Sequence, residues 1–136
     1  MLSINPPLAR TILVAFLREE VTRTGLKRAV VGLSGGIDSA LSCCLAAEAL
    51  GAENVLAARL PYKTSSPESL AHAQLVIDQL GVPSETFSIT DMVDPVLATI
   101  PESDSKRRGN VMARARMIMV YDRSAATNAL VIGTGN

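Results

Sequence analysis

The segment Gly32-Leu33-Ser34-Gly35-Gly36-Ile37-Asp38-Ser39 concentrates the chemistry of this chain. Its adjacent glycines let the main chain turn sharply and bring several N–H groups close to one anion. Ser34 and Ser39 add hydroxyl donors. The helical pattern that follows begins near Ile37, so the positive end of that helix points at the same place. Such an end contributes about 0.3–1 kcal/mol to one anion, and up to roughly 2 kcal/mol when partly buried. Asp38 is the odd member, because a carboxylate beside a phosphate repels it unless a cation intervenes. Magnesium bridging the carboxylate and phosphate oxygens resolves the conflict, which makes Asp38 the candidate metal ligand. The simpler alternative is a glycine turn with a helix-capping aspartate. It fits a lone Gly-Gly better than Ser-Gly-Gly-Ile-Asp-Ser between a strand and a helix.

No Gly-Lys-Ser/Thr follows, so this is not a Walker-type loop, and it is not a Gly-x-Gly-x-x-Gly dinucleotide fingerprint. It resembles the PP-loop of the ATP pyrophosphatase superfamily, whose members cleave ATP between the α and β phosphates while adenylating a substrate oxygen. Two further segments narrow the likeness. Arg59-Leu60-Pro61-Tyr62-Lys63-Thr64-Ser65-Ser66-Pro67-Glu68-Ser69 resembles the post-strand segment of NAD synthetases. Gly109-Asn110-Val111-Met112-Ala113-Arg114-Ala115-Arg116-Met117 is similar to their Gly-Asn-x-x-Ala-Arg-x-Arg-Met helix. The final Val131-Ile132-Gly133-Thr134-Gly135-Asn136 matches the next nucleotide loop of that family. The likeness runs over about residues 28 to 136.

The resemblance implies an ammonia-dependent NAD synthetase that uses ATP and magnesium to amidate deamido-NAD, with AMP and pyrophosphate released. It places Gly32 to Ser39, Arg59 and Thr134 at ATP, Asn110 and Arg114 at deamido-NAD, and Asp38 at the metal. Ser34 and Asp38 are then the catalytic candidates, acting by alignment and charge neutralisation rather than as nucleophiles. It also implies a homodimer. Two other readings stand beside it: a non-catalytic nucleotide-binding module, and another PP-loop ligase such as GMP synthetase. The family pattern continues past Gly-Thr-Gly-Asn into Lys-Ser/Thr-Glu, where this sequence stops, so it reads as about half of a synthetase. Only 33 residues precede Ser34, too few for a glutamine amidohydrolase domain, and free ammonia is the expected nitrogen donor.

The elements that must position these residues alternate strictly. A helix is expected from about Pro7 to Thr24, with Leu8, Ile12, Ala15 and Phe16 near one face. Strands are expected at 29–33, 55–60, 85–89 and 129–132. Between them the pattern predicts helices over 37–50, 67–80 and about 109–126, with a short one capped by Thr90 or Asp91 and ending before Pro101. Ser66 suits an N-cap, Pro67 the first helical position and Glu68 the positive helix end. Leu70, Ala73, Gln74, Ile77 and Leu80 share a face of that helix, and 102–108 reads as a polar loop. Alternation of this kind argues a doubly wound, Rossmann-like α/β fold of the adenine nucleotide alpha-hydrolase type, with about 4–5 parallel strands and helices on both faces. Ligands in such sheets sit at the carboxyl ends of the strands, where Ser34-Gly35-Gly36, 61–64 and Gly133-Thr134 should converge.

Composition fits one soluble domain over 1–136. Apolar residues make up 48% and charged residues 19%, and 13 basic residues balance 13 acidic ones. No global basic field recommends a nucleic acid. No apolar run reaches the roughly 18 residues of a membrane span, so a cytoplasmic protein is expected. Cys43 and Cys44 are adjacent in a predicted helix and read as small core residues in a reduced compartment. His72, the only histidine, lies away from the motifs and draws no catalytic role. Arg107, Asn110 and Arg114 fall at i, i+3 and i+7 on one helix face. Arg107 and Arg116 read as a solvated face, and Met112, Met117 and Met119 as core or interface filler.

Overall fold

The computed structural model describes residues 6–133. In chain order they form α1 (Pro6–Arg23), β1 (Arg28–Gly32), α2 (Ile37–Leu50), β2 (Val55–Arg59), α3 (Pro67–Leu80), β3 (Ser84–Thr86), α4 (Thr90–Thr99), α5 (Ser105–Thr127) and β4 (Ala129–Ile132). A 3₁₀ turn, Ala52–Asn54, joins α2 to β2. The strands make one parallel sheet in the order β3-β2-β1-β4, with Val30 opposite Leu56 on one side and Val131 on the other. The chain therefore steps outward from β1 to β3 and then crosses to the far side of β1. That reversal opens a crevice at the carboxyl ends of β1 and β4.

Alternation along the strands sends side chains to two separate helix layers. Val31, Val55 and Ala57 pack with Cys43 and Ala46 of α2 and with Ala73 and Ile77 of α3. Val30, Ala58 and Ala129 pack on the other face with Val93 and Leu97 of α4 and Ala115 of α5. The expected α/β fold with helices on both faces is what forms. Helix α1 lies outside the sandwich on α2, where Val14 meets Leu45 and Ala49. Arg10 pairs with Glu48 at 2.6 Å, and Arg18 Nε donates to the Ala49 carbonyl at 3.1 Å. The Leu8, Ile12 and Phe16 side of α1 faces outward, each more than half exposed; Val14 and Val21 are the residues it buries.

Local signals account for most boundaries. Ser66 accepts the Ser69 N–H at 3.0 Å and Pro67 opens α3, as the capping residues require. Two expectations shift. The segment 102–108 is not wholly a loop, because Asp104 accepts the Arg107 N–H at 2.9 Å and starts α5 at Ser105, four residues before Gly109. Neither Thr90 nor Asp91 caps α4; its N-cap is Ile89, with no side-chain bond, held instead by complete burial. Strand β3 ends at Thr86, although the chain stays beside β2 through Phe87 N–H to the Arg59 carbonyl and Ile89 N–H to the Pro61 carbonyl, both 2.9 Å. Among the described residues no helix is long and apolar enough to cross a membrane.

Candidate active site

The loop after β1 is wired from within. Ser39 Oγ accepts the Ser34 N–H at 3.1 Å, donates to the Gly36 carbonyl at 3.2 Å and lies 3.0 Å from Ser34 Oγ. The Gly36 N–H donates to Ser34 Oγ at 3.3 Å. Each hydroxyl has one proton; with that of Ser39 on Gly36, that of Ser34 goes to Ser39. Ser39 is buried and serves as the clamp of this loop. Ser34 stays exposed. Gly36 is the N-cap of α2 and offers no side chain to the first turn, so the N–H groups of Ile37 and Asp38 have no side-chain cap.

Gly35 explains how close this loop comes to α3. Its φ is +88°, and a Cβ there would lie 2.2 Å from the Ser69 carbonyl oxygen. Only glycine permits both the conformation and the approach. The contact sets the first turns of α2 and α3 side by side on the same edge of the sheet. Ser66 and Ser69 thus stand beside Ser34 and Ser39 along one cleft.

That cleft encloses about 830 Å³. Gly32 to Ser34 form its floor with Val131, Ile132 and Gly133; Arg59, Pro61 and Ser65 approach from β2, and Arg114, Arg116, Met117 and Tyr121 from α5. Ser34, Pro61 and Gly133 therefore converge as expected, although Gly35, Gly36 and 62–64 do not line the cleft. Tyr62 is buried, with its hydroxyl donating to Asp94 Oδ1 at 2.5 Å, and Lys63 Nζ holds Asp94 Oδ2 at 2.8 Å. These bonds pin the segment to α4. The hydrogen bonds from Lys63 and then Tyr62 hold the Asp94 carboxyl below its ordinary range.

The charge in the cleft is one-sided. Among the described residues three arginines line it and no aspartate or glutamate does. The Arg59 guanidinium is held by neutral acceptors, Thr86 Oγ1 at 3.1 Å and Gln74 Oε1 at 2.6 Å. Arg116 Nε donates to the Leu60 carbonyl at 2.9 Å, and burial pushes its guanidinium below the usual range. Arg114 is exposed and stands at the junction with a smaller, mostly apolar hollow of about 310 Å³ between α4 and α5. Asn110 lines only that hollow, so the helix face shared by Asn110 and Arg114 is divided between two spaces. Arg107 is exposed, as expected of a solvated face.

Arg116 is the correction. It lies half-buried in the cleft rather than on the solvated face expected for it. Its neighbours one turn away are Met112, Ala113, Met119 and Val120, and this apolar setting was the available signal. Asp38 is exposed at the second position of α2, beside the cleft and with no ion-pair partner among the described residues. Thr134 lies outside the described residues. Cys43 is buried, which pushes its thiol up to about 11, whereas Cys44 is only half-buried.

The family model for NAD synthase matches residues 10–136. The chain belongs to the NAD synthase family. It is 53% identical over 135 residues to an NH3-dependent NAD+ synthetase of Chlorobaculum parvum, covering 99% of this chain and 49% of that protein. Among solved structures, the NH3-dependent NAD synthetase of Campylobacter jejuni in complex with a nitrate ion superposes with a TM-score of 0.91. The two are 34% identical, over 98% of this chain and 58% of the other. The glutamine-dependent NAD+ synthetase of Acinetobacter baumannii, in complex with ADP, superposes at 0.85 with 34% identity, over 91% of this chain and 24% of that one. The chain thus spans about half the length of the relative it matches in sequence.

Proposed function

We propose that this chain forms the ATP-binding part of an ammonia-dependent NAD synthetase, converting deamido-NAD to NAD with release of AMP and pyrophosphate. The observation that carries the reading is a cleft with three arginines and, among the described residues, no carboxylate, lined by Gly32 to Ser34 and Ser39 of the loop, in a member of this family. A polyanion fits that charge, and the uncapped N–H groups of Ile37 and Asp38 add to it. In this reading ATP lies with its phosphates on the loop and against Arg59, and Thr134 completes the nucleotide contacts. Arg114, at the mouth of both spaces, takes a charged group of deamido-NAD, with Asn110 beyond it.

The reaction divides into two transfers. The nicotinate carboxylate attacks the α-phosphorus of ATP, the bond to the β-phosphate bridging oxygen breaks, and pyrophosphate leaves. Neutral ammonia then attacks the acyl carbon of the mixed anhydride; AMP departs with the former carboxylate oxygen and a proton is released. No protein nucleophile is needed. The chain aligns the two anions and stabilises charge that builds on phosphate oxygens, through fixed N–H groups and guanidinium forks. Asp38 fits magnesium, since that ion takes one or two carboxylates together with phosphate oxygens and water, and Asp38 is exposed and has no cationic partner among the described residues. Bound there, the ion would neutralise phosphate charge and polarise the phosphoryl group.

Two features complete the reading. Val96, Ile118 and Tyr121 leave apolar surface exposed on α4 and α5, which supports a homodimer of the whole protein. The two free cysteines suit a reduced, cytoplasmic setting. Calorimetric titration with ATP, with and without magnesium, on this chain and on Asp38→Asn tests the nucleotide assignment. The expected result is magnesium-assisted binding weakened about tenfold in the variant, one phosphate–metal–carboxylate link being lost. Formation of NAD from deamido-NAD and ammonia by the full-length protein tests the reaction. Failure of the wild-type chain to bind ATP at millimolar concentration overturns the reading.

A further inference from the structure

Arg59 is aimed into the cleft by a relay that carries no compensating charge at the guanidinium. Its Nε donates to Thr86 Oγ1 of β3 at 3.1 Å, and an Nη donates to Gln74 Oε1 of α3 at 2.6 Å. The amide of Gln74 is oriented in turn, because its Nε2 donates to Asp78 Oδ1 at 2.8 Å, one helical turn further on. This leaves the amide oxygen facing Arg59. Two neighbours thus fix the fork from two elements, and Arg59 has no salt bridge among the described residues.

We infer that Gln74 and Thr86 are positioning residues that set the strength of the anion site by holding Arg59 through neutral oxygens. The inference rests on the proposal that Arg59 meets the phosphates of ATP. A carboxylate at position 74 would hold the guanidinium with equal or better geometry, yet would cancel the charge offered to the ligand. A neutral amide separates the two jobs. The carboxylate that orients the relay, Asp78, is kept one residue further from the anion, where its field on the ligand is weaker. Thr86 does the same at Nε with a hydroxyl.

The test is calorimetric titration of the whole chain with ATP, paired with urea unfolding, on Arg59→Gln, Gln74→Glu, Thr86→Val and Thr86→Ser. Expected for Gln74→Glu is unfolding stability close to the wild type, because the new ion pair with Arg59 is offset by loss of the bond to Asp78 and by carboxylate repulsion at i,i+4, with ATP affinity lowered about tenfold, the order for one added charge near a partly solvated anion. Thr86→Val should weaken binding by several-fold and Thr86→Ser should restore it. A purely structural role predicts that affinity follows stability, so Gln74→Glu binding ATP as tightly as the wild type overturns the inference. If Arg59→Gln weakens binding while Gln74→Glu does not, the positioning idea fails and the assignment of Arg59 to ATP survives. If Arg59→Gln also binds normally, that assignment falls and the inference falls with it.

Discussion

Replacing Gly35 by alanine separates the two constraints that the phosphate loop places on that residue. At φ +88° an L side chain is in a conformation that costs about 1–2 kcal/mol. The added Cβ would also lie 2.2 Å from the Ser69 carbonyl oxygen, with the Ser69 carbonyl carbon at 2.8 Å and Cα at 2.9 Å, all main-chain atoms of α3 that cannot rotate aside. Forcing such overlap apart costs roughly a further 1–3 kcal/mol. The sum, about 2–5 kcal/mol, is a large share of the 5–15 kcal/mol typical of a folded domain. Gly25 supplies the control. Its φ is +80°, nearly the same, but no heavy atom lies within 4 Å of its missing Cβ. Gly25→Ala should therefore lose only the conformational part, about 1–2 kcal/mol. Urea unfolding of both variants gives the contact energy by difference, and ATP titration gives its functional consequence. If the loop escapes by lifting away from α3, Gly35→Ala will regain some stability but misdirect the Ile37 and Asp38 N–H groups. Either route leaves ATP binding at least tenfold weaker, roughly 1.4 kcal/mol. Equal stability losses in the two variants, with unimpaired ATP binding by Gly35→Ala, would refute the reasoning.

Three other outcomes follow from the same geometry. Ser39→Ala removes the acceptor of the Ser34 N–H and the donor to Gly36 at a buried position, so urea unfolding should show a loss of about 1–3 kcal/mol. Arg116→Met removes a partly desolvated charge and one bond to the Leu60 carbonyl; stability should change by less than about 1 kcal/mol while ATP affinity falls about tenfold, read by melting and calorimetry. The Asp94 carboxyl is held below its ordinary pKa, so its contribution is present above the unfolded value, near 4, and is lost as pH falls through the lower folded value. Acid unfolding of Asp94→Asn should start from lower stability at neutral pH and be less steep below about pH 4; an unchanged acid limb would discount the Tyr62–Asp94–Lys63 pin.

The sheet and its phosphate loop were legible because several local signals agreed. β1 and β4 are short apolar runs, Ser66-Pro67-Glu68 starts α3 as capping chemistry demands, and Ser-Gly-Gly sits where a strand hands over to a helix. The expected start of α5 near Gly109 is late because the polar run 102–108 reads as a loop, whereas Asp104 within it caps the helix. Clamping of the loop by Ser39 could not be read from type or spacing, since a serine at that position can equally face the ligand. Its role depends on burial, which only the packed structure decides. Arg116 departs from the solvated position that its charge suggests. The surrounding methionines, alanine and valine already indicated otherwise.

Charge placement joins these observations into one physical argument. The chain as a whole is neutral, with 13 basic and 13 acidic residues, so no long-range field concentrates anions on it. Local imbalance must do so. Several surface cations are spent on structure: Arg10 on Glu48, Lys63 on Asp94, and Arg123 on Asp122 and Glu85. Arg59 and Arg116 are instead held by oxygens without full charge, a threonine hydroxyl, a glutamine amide and a main-chain carbonyl. Neutral acceptors fix direction and leave the charge for an incoming ligand, whereas a carboxylate would fix direction and use the charge up. The cost is desolvation, visible in the lowered pKa of Arg116, and an anion in the cleft relieves it by supplying the missing counter-charge. Ligand binding should therefore stabilise this chain by more than the area it covers suggests, and pyrophosphate alone should raise the melting temperature in wild type more than in Arg116→Met.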